Sequence, residues 1–472
     1  MIKINLTNIR CKITGDIKEA NKLRNNLKFR HPNAWFLRPH MPKGWDGNVQ
    51  WITENATFKV GLLPQILEKC KELDIKVVIN DIRELPDFTG LPKKLGYMDL
   101  RDYQLDALYS LVNNKLPDGT PWPIGVINAA TNAGKSLMAS GLHKSYRGCK
   151  TLLLLNQADL FNQAKDEYPK MLPGVDIGFV QGSKNNHWGD FTIAMVQTLS
   201  RNIKNFRYKL EEMDIVIIDE ADQGTSKQYK TVLNTLYNTT VRVGLSGSIY
   251  LSKLKKHQLK NFELRSFFSD EVFIITKKEM VKKGFSSNLV IKVNKIDEGV
   301  ELKGNYKEEY DTNITFNQAR NNKIVERVRF NLDRGRLPIL IICRYHNHVD
   351  EVMSYVSSEF GKDYTVNKVH HKTPNRKEII EAFRNGYIDI LISSLIIKRG
   401  QNLPLIRCLI NAAGGDSEEN VLQIMGRAER THKSKKKTIL EDFLDPGIYL
   451  KRHAKHRVVY YKKQGFKVIQ LY

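Results

Sequence analysis

The sequence predicts an α/β protein built on two parallel sheets in tandem, and three observations carry that prediction. Short apolar runs of strand length recur at Ile124–Ile127, Thr151–Leu155, Phe191–Met195, Ile215–Ile218 and Val241–Leu245. Stretches of helical spacing separate them, as a parallel sheet with crossover helices requires. The rhythm then resumes with Pro338–Ile342, Val366–Val369, Ile388–Ile392 and Ile406–Ile410. Strands covered on both faces read as such unbroken runs. Two sheets in one chain of 472 residues also fit the size at which a single core gives way to several, and they leave a cleft between them.

Ahead of this rhythm, residues 1–92 are rich in basic and aromatic side chains and close near Leu85-Pro86 and Leu91-Pro92. The expected organisation is therefore a small α/β domain over 1–92, a first parallel-sheet domain over 93–285 and a second over 286–472 with a basic tail. No apolar stretch approaches the roughly 20 residues of a membrane helix. The first residues, with Lys3, Arg10 and Lys12 among apolar neighbours, lack a signal core. The expectation is a cytoplasmic protein with no membrane contact, in the bacterial host's cytoplasm if phage-encoded. The five cysteines are scattered without metal-ligand spacing and read as thiols in a reducing compartment.

Lysine and arginine number 75 against 51 acids, a net charge of +24. Such an excess favours a polyanion through counterion release, whereas solubility alone would be served as well by acids. The charge points to nucleic acid.

The first apolar run leads into Thr131-Asn132-Ala133-Gly134-Lys135-Ser136 and then the helical Leu137-Met138-Ala139. Small residues let backbone N–H groups approach phosphates, and the helix start adds positive potential. Lys135 would reach the β- and γ-phosphates of ATP, and the Ser136 hydroxyl would ligate Mg²⁺. Ala129 stands where a strict phosphate loop has its first glycine. The run Ile215–Ile218 ends in Asp219-Glu220-Ala221-Asp222, which sets two carboxylates at the ligand-binding edge of a parallel sheet. Asp219 would hold Mg²⁺, and Glu220 would take a proton from the attacking water.

At this point the chain resembles superfamily 2 helicases, along nearly its whole length. Arg101-Asp102-Tyr103-Gln104 looks like their adenine-reading segment, in which Gln104 would bond the base and Arg101 would flank it. Ser246-Gly247-Ser248 stands where they carry a Ser-Ala-Thr-type coupling motif, with Gly247 as a departure. Arg399-Gly400-Gln401-Asn402 resembles their next-to-last motif, with Gly400 toward nucleotide and Asn402 in place of the usual Asp. Gln423-Ile424-Met425-Gly426-Arg427-Ala428-Glu429-Arg430 matches their Gln-x-x-Gly-Arg-x-x-Arg element. Its spacing puts Gln423, Arg427 and Arg430 on one helical face, from which the arginines could stabilise γ-phosphate charge. The resemblance implies two RecA-like domains whose cleft closes and opens with each ATP. It also implies sequence-nonspecific backbone contacts at Gln157, Gly182, Ser183, Gln197, Thr198, Arg344 and Ser394.

Within the superfamily, Trp35-Phe36, Trp45-Asp46-Gly47, Trp51, Gly61-Leu62-Leu63-Pro64, Tyr306 to Tyr310 and Leu440 to Asp445 look like the UvsW-type phage recombination helicases. That likeness implies a monomeric ATPase on single-stranded and branched DNA (forks, four-way junctions), with RNA–DNA hybrids as a further substrate. Asp46-Gly47 could equally be a hairpin turn with the tryptophans as core. The basic tail Lys451 to Tyr472 carries its charge for DNA and its rings for the core. An RNA helicase, a restriction-complex motor and an annealing factor with a regulatory ATPase are the alternatives.

Overall fold

The computed structural model describes residues 1–41, 44–130, 133–182, 186–247, 255–285, 288–301, 305–395, 403, 405–415, 437–463 and 466–471. By contacts the chain divides into two compact units, Met1–Ile275 and Thr276–Tyr472.

The first unit opens with a four-stranded sheet in the order Thr57–Lys59, Arg10–Gly15, Ile2–Leu6, Val77–Asp81. The first three strands pair antiparallel and the last joins parallel. Ile2, Ile4 and Leu6 are buried while Lys3 is exposed, the period-two pattern of a sheet with one covered face. Helices Ile17–Asn26 and Leu63–Glu72 supply the cover through Leu23, Leu63, Ile66 and Cys70. Asp16 starts the first of them by accepting from the backbone N–H groups of Lys18 and Glu19.

This sheet's core continues into the next one. Leu116, Trp122 and Ile124 belong to the same apolar cluster. The helix Lys255–Phe268 is the anchor: Phe262 stacks obliquely on Phe29 and Trp51, with ring centres 4.7 and 5.3 Å apart. Lys59 sits 3.6 Å above the Phe267 ring, and Gln65 donates to Asp270 at 2.5 Å. The backbones approach so closely that a Cβ on Gly61 would lie 2.2 Å from the Arg265 carbonyl oxygen, so only glycine fits there.

The first seven-stranded sheet runs Ile177–Val180, Phe191–Met195, Thr151–Leu155, Ile215–Asp219, Val241–Ser246, Ile124–Ala129, Glu271–Ile275, every pairing parallel. Parallel pairing brings all the C-terminal strand ends to one edge. The second unit repeats the plan in the order Val366–Val369, Ile390–Ser394, Ile339–Cys343, Cys408–Asn411, Lys437–Leu444, Asn288–Lys295, Lys467–Leu471, again all parallel. The fold is thus α/β, with two RecA-like parallel sheets and a small α/β region ahead of them.

Two expected strands are displaced. Apolarity predicts 388–392 and 406–410, whereas the ladders run Ile390–Ser394 and Cys408–Asn411. Ile388 and Ile406 are buried ahead of the ladders, because side-chain burial begins before backbone pairing does.

The second sheet holds a buried ionic network. Arg457 of the helix Ile448–Lys463 donates to Asp442 at 2.9 and 3.0 Å, and the Tyr461 hydroxyl donates to the same carboxylate at 2.7 Å. Arg320 donates to Asp445 at 2.7 Å and to the Ala412 carbonyl at 3.0 Å. Tyr460 and Tyr461 are buried, as expected of the tail's rings. Among the described residues no helix is long and apolar enough to cross a membrane.

Candidate ATP-hydrolysis site and nucleic-acid contacts

The strand Ile124–Ala129 and the helix Lys135–Lys144 flank the expected phosphate loop. Thr131 and Asn132 lie outside the described residues; Ala133 is fully buried. Gly134 caps the helix with φ +79°, a conformation glycine adopts freely, and a Cβ there would meet the Gln104 amide nitrogen at 2.3 Å. Lys135 and Ser136 therefore open the helix at its positive end.

Gln104 is fully engaged with backbone. Its amide nitrogen donates to the Ala133 carbonyl at 2.8 Å, and its amide oxygen accepts from the Arg101 N–H at 2.9 Å. The Tyr103 hydroxyl donates to the same Ala133 carbonyl at 2.9 Å and accepts from Arg101 at 3.1 Å. The segment expected to read adenine is thus tied to the phosphate loop.

The strand Ile215–Asp219 delivers Asp219 to the sheet edge in a half-buried position. Burial pushes its carboxyl up to about 6, opposed by the Lys135 ammonium and reinforced by Glu220. Glu220 itself sits at φ +56°, a left-handed conformation costly for a side chain other than glycine, and its N–H donates to Asp219 at 3.0 Å. The left-handed backbone falls on the residue expected to take a proton. Asp222 accepts from Ser246 at 3.2 Å and from Gln223 at 2.9 Å, and burial raises its carboxyl as well. Ser248 lies outside the described residues.

One neighbour had no signal in the sequence. Tyr168, in the helix Ala158–Met171, is fully buried, hydrogen-bonds Ser136 and feels the Asp219 charge. A tyrosine at helical spacing reads as ordinary core, and only the fold brings it to the site.

The expected backbone contacts of the first unit line one sheet edge. Gln157 caps the helix Ala158–Met171 just beyond Leu155. Gln197 donates to the Asn156 carbonyl at 2.8 Å, joining two strand-end loops. Gly182, at φ +74°, donates its N–H to the Thr198 hydroxyl at 2.9 Å, joining a third. Ser183 lies outside the described residues.

In the second unit, Arg344 follows the strand Ile339–Cys343 and lies among tyrosines. It donates to the Tyr306 hydroxyl at 2.8 Å, and its guanidinium carbon is 5.4, 5.9 and 5.5 Å from the ring centres of Tyr306, Tyr310 and Tyr345. Ser394 ends its strand with a buried hydroxyl that has no partner among the described residues. Gly400, Gln423, Arg427 and Arg430 lie outside the described residues.

Known families and proteins agree with this layout. The family described as type III restriction enzyme, res subunit, matches residues 97–250, and the helicase conserved C-terminal domain matches 321–432. The ATP-dependent DNA helicase uvsW of Enterobacteria phage T4 is 25% identical over 96% of this chain and 91% of its own length. The DNA 3'-5' translocase XPB2 of Sulfurisphaera tokodaii is 22% identical over 82% of this chain and 90% of its own. The structure of S. cerevisiae Dbp5 bound to RNA and ADP BeF3 superimposes with a TM-score of 0.52 at 14% identity, covering 79% of this chain and 90% of that one. It shares the fold of the two sheets.

A phosphate loop, a strained acidic strand end and two parallel sheets define an ATP-hydrolysing nucleic-acid motor. With both family models matched in order along the chain, the protein carries a two-sheet helicase core and is similar to the uvsW helicase of phage T4.

Proposed function

We propose that this chain remodels branched DNA at the expense of ATP, regressing forks, migrating four-way junctions and unwinding R-loops in recombination, repair or replication. The observation that carries the reading is the likeness to the phage T4 helicase over 96% of the chain, which includes the N-terminal sheet as well as the motor. The RNA-helicase relatives match 57 to 78% of this chain, and Dbp5, bound to RNA, aligns with 79% of it. The protein would act as a monomer in the cytoplasm, without sequence preference.

Lys135 would hold the β- and γ-phosphates, and Gln104 and Arg101 would border the base. Ser136 and Asp219 suit Mg²⁺: a hard hydroxyl oxygen and a half-buried carboxylate whose anionic form, disfavoured by burial, a cation would stabilise. When bound, the cation neutralises charge on the transferring phosphoryl group. Glu220 would accept the proton of the attacking water, and Arg427 and Arg430 would stabilise charge on the γ-phosphate.

The test is ATP turnover and strand displacement on single-stranded DNA, forked DNA, an R-loop and RNA. Forked DNA and the R-loop should support displacement and stimulate turnover most. Stronger stimulation by RNA would instead establish the RNA-helicase reading.

A further inference from the structure

The helix Ile448–Lys463 contains no aspartate or glutamate. Leu450, Ala454, Arg457, Val458, Tyr460 and Tyr461 are its buried face. Lys451, Arg452, Lys455 and Lys462 are exposed opposite. The helix's ion pairs are those of buried Arg457, and the four exposed cations have no acidic partner among the described residues. The helix Ile203–Glu211 makes the contrast: there Arg207 pairs with Glu211 at 2.9 Å and Lys209 with Glu212 at 3.3 Å. A helix serving solubility alone is served by such mixed charge.

The stripe is continuous with an expected backbone contact. Tyr449 meets the Tyr306 ring edge-on at 6.3 Å, His453 lies 5.3 Å from the same ring, and the Tyr306 hydroxyl accepts from Arg344. From that strand-end edge the charge runs from Lys451 to Lys462, roughly 16 Å along the helix at 1.5 Å per residue. That length covers on the order of five phosphates of one strand of a duplex, measured along its axis.

We propose that this stripe is a second phosphate grip, which takes the double-stranded arm of forked DNA while the strand-end loops hold the single strand. It rests on the branched-DNA reading above. A single-strand channel offers rings on which bases stack. Here Tyr460 and Tyr461 are turned into the core and Tyr449 is engaged by Tyr306 and Arg452, so the rings of the stripe are taken up within the protein. That suits a duplex, whose bases are already stacked inside. Flexible cations with no planar readers besides Arg452 grip without reading sequence.

The test compares the full chain with its K451Q/R452Q/K455Q/K462Q variant, and with K451R/K455R/K462R as the charge-keeping control. On forked DNA, the slope of log affinity against log salt should fall by about 3 to 4, and affinity near 0.1 M salt by at least about tenfold. Single-strand binding and single-strand-stimulated ATP turnover should stay unchanged, and the control should match the parent. An unchanged fork slope, or an equal loss on single strands, overturns the proposal. Failure of the unaltered protein to be stimulated by any DNA would instead overturn the branched-DNA reading, and the parent alone reports it.

Discussion

Ser246 donates its hydroxyl to the Asp222 carboxylate across 3.2 Å, linking the end of one sheet strand to the acidic loop of its neighbour. The last acid of Asp219-Glu220-Ala221-Asp222 is thereby tied to the segment expected to couple hydrolysis to movement. Ser246→Ala should keep ATP turnover within a few-fold and cut strand displacement per ATP at least tenfold. Turnover and displacement measured side by side decide it; a parallel fall in both would make Ser246 part of the hydrolytic machinery instead.

Lys135→Ala should abolish ATP hydrolysis while leaving salt-dependent DNA binding nearly intact. Glu220→Gln should bind ATP and turn it over at least a hundredfold more slowly, since it keeps the shape but cannot take a proton. Normal turnover in that variant would remove Glu220 from the role of base.

Trp35 and Phe36 are 81% and 77% exposed, on the short helix Ala34–Leu37 between the strands Lys28–Arg30 and Asn48–Gln50. Asp46-Gly47 is not a two-residue hairpin turn, since residues 31–47 separate the paired strands; Gly47 leads into the second strand at φ +83°, and Trp35 is not core. Rings this exposed can stack on bases for about 1–3 kcal/mol each. Trp35→Ala with Phe36→Ala should weaken fork binding about tenfold or more without lowering the melting temperature. A lowered melting temperature with unchanged binding would make the pair structural.

His143 is buried against Thr151, its ring nitrogen 2.9 Å from the hydroxyl, and burial holds its pKa down to about 4. Unfolding returns it to about 6.5, so the unfolded chain binds the extra proton first. Its contribution is complete above pH 6.5 and is lost as pH falls toward 4, on the order of 3 kcal/mol. His143→Gln should flatten the fall in melting temperature over that window relative to the parent. An identical pH profile would show that His143 takes up its proton alike in the folded and unfolded chain.

Arg457 and Asp442 are both about 1% exposed. Arg457→Met should cost about 3–5 kcal/mol, because it strands a buried carboxylate. Adding Asp442→Asn should recover much of the loss, as read by denaturant melts. Equal additive losses would mean that the two residues act independently.

The strands legible in the sequence are those whose side chains are apolar on both faces. Thr151–Leu155 and Phe191–Met195 run as read; Val366–Val369 does too, although Asn367 and Lys368 stand between its valines. Lys437–Leu444 and Asn288–Lys295 were illegible as strands because their buried positions include Glu441, Asp442 and Asn294. Those groups are satisfied across chain distances no local pattern reveals: Asn294 donates to Glu441 at 3.0 Å, and Arg457 reaches Asp442. The phosphate loop and acidic strand end were legible because their chemistry is local. Tyr168 was not, since its relation to Ser136 exists only once helix and loop meet.

The close fit of Gly61 to the Arg265 carbonyl, with Phe262 wedged between Phe29 and Trp51, bears on what can be cut away. A shortened protein starting after residue 92 would lay Phe262, Trp122 and Leu116 open to water in one patch, and such patches drive association. The first ninety or so residues are a wall of the engine housing, not an attachment bolted onto it.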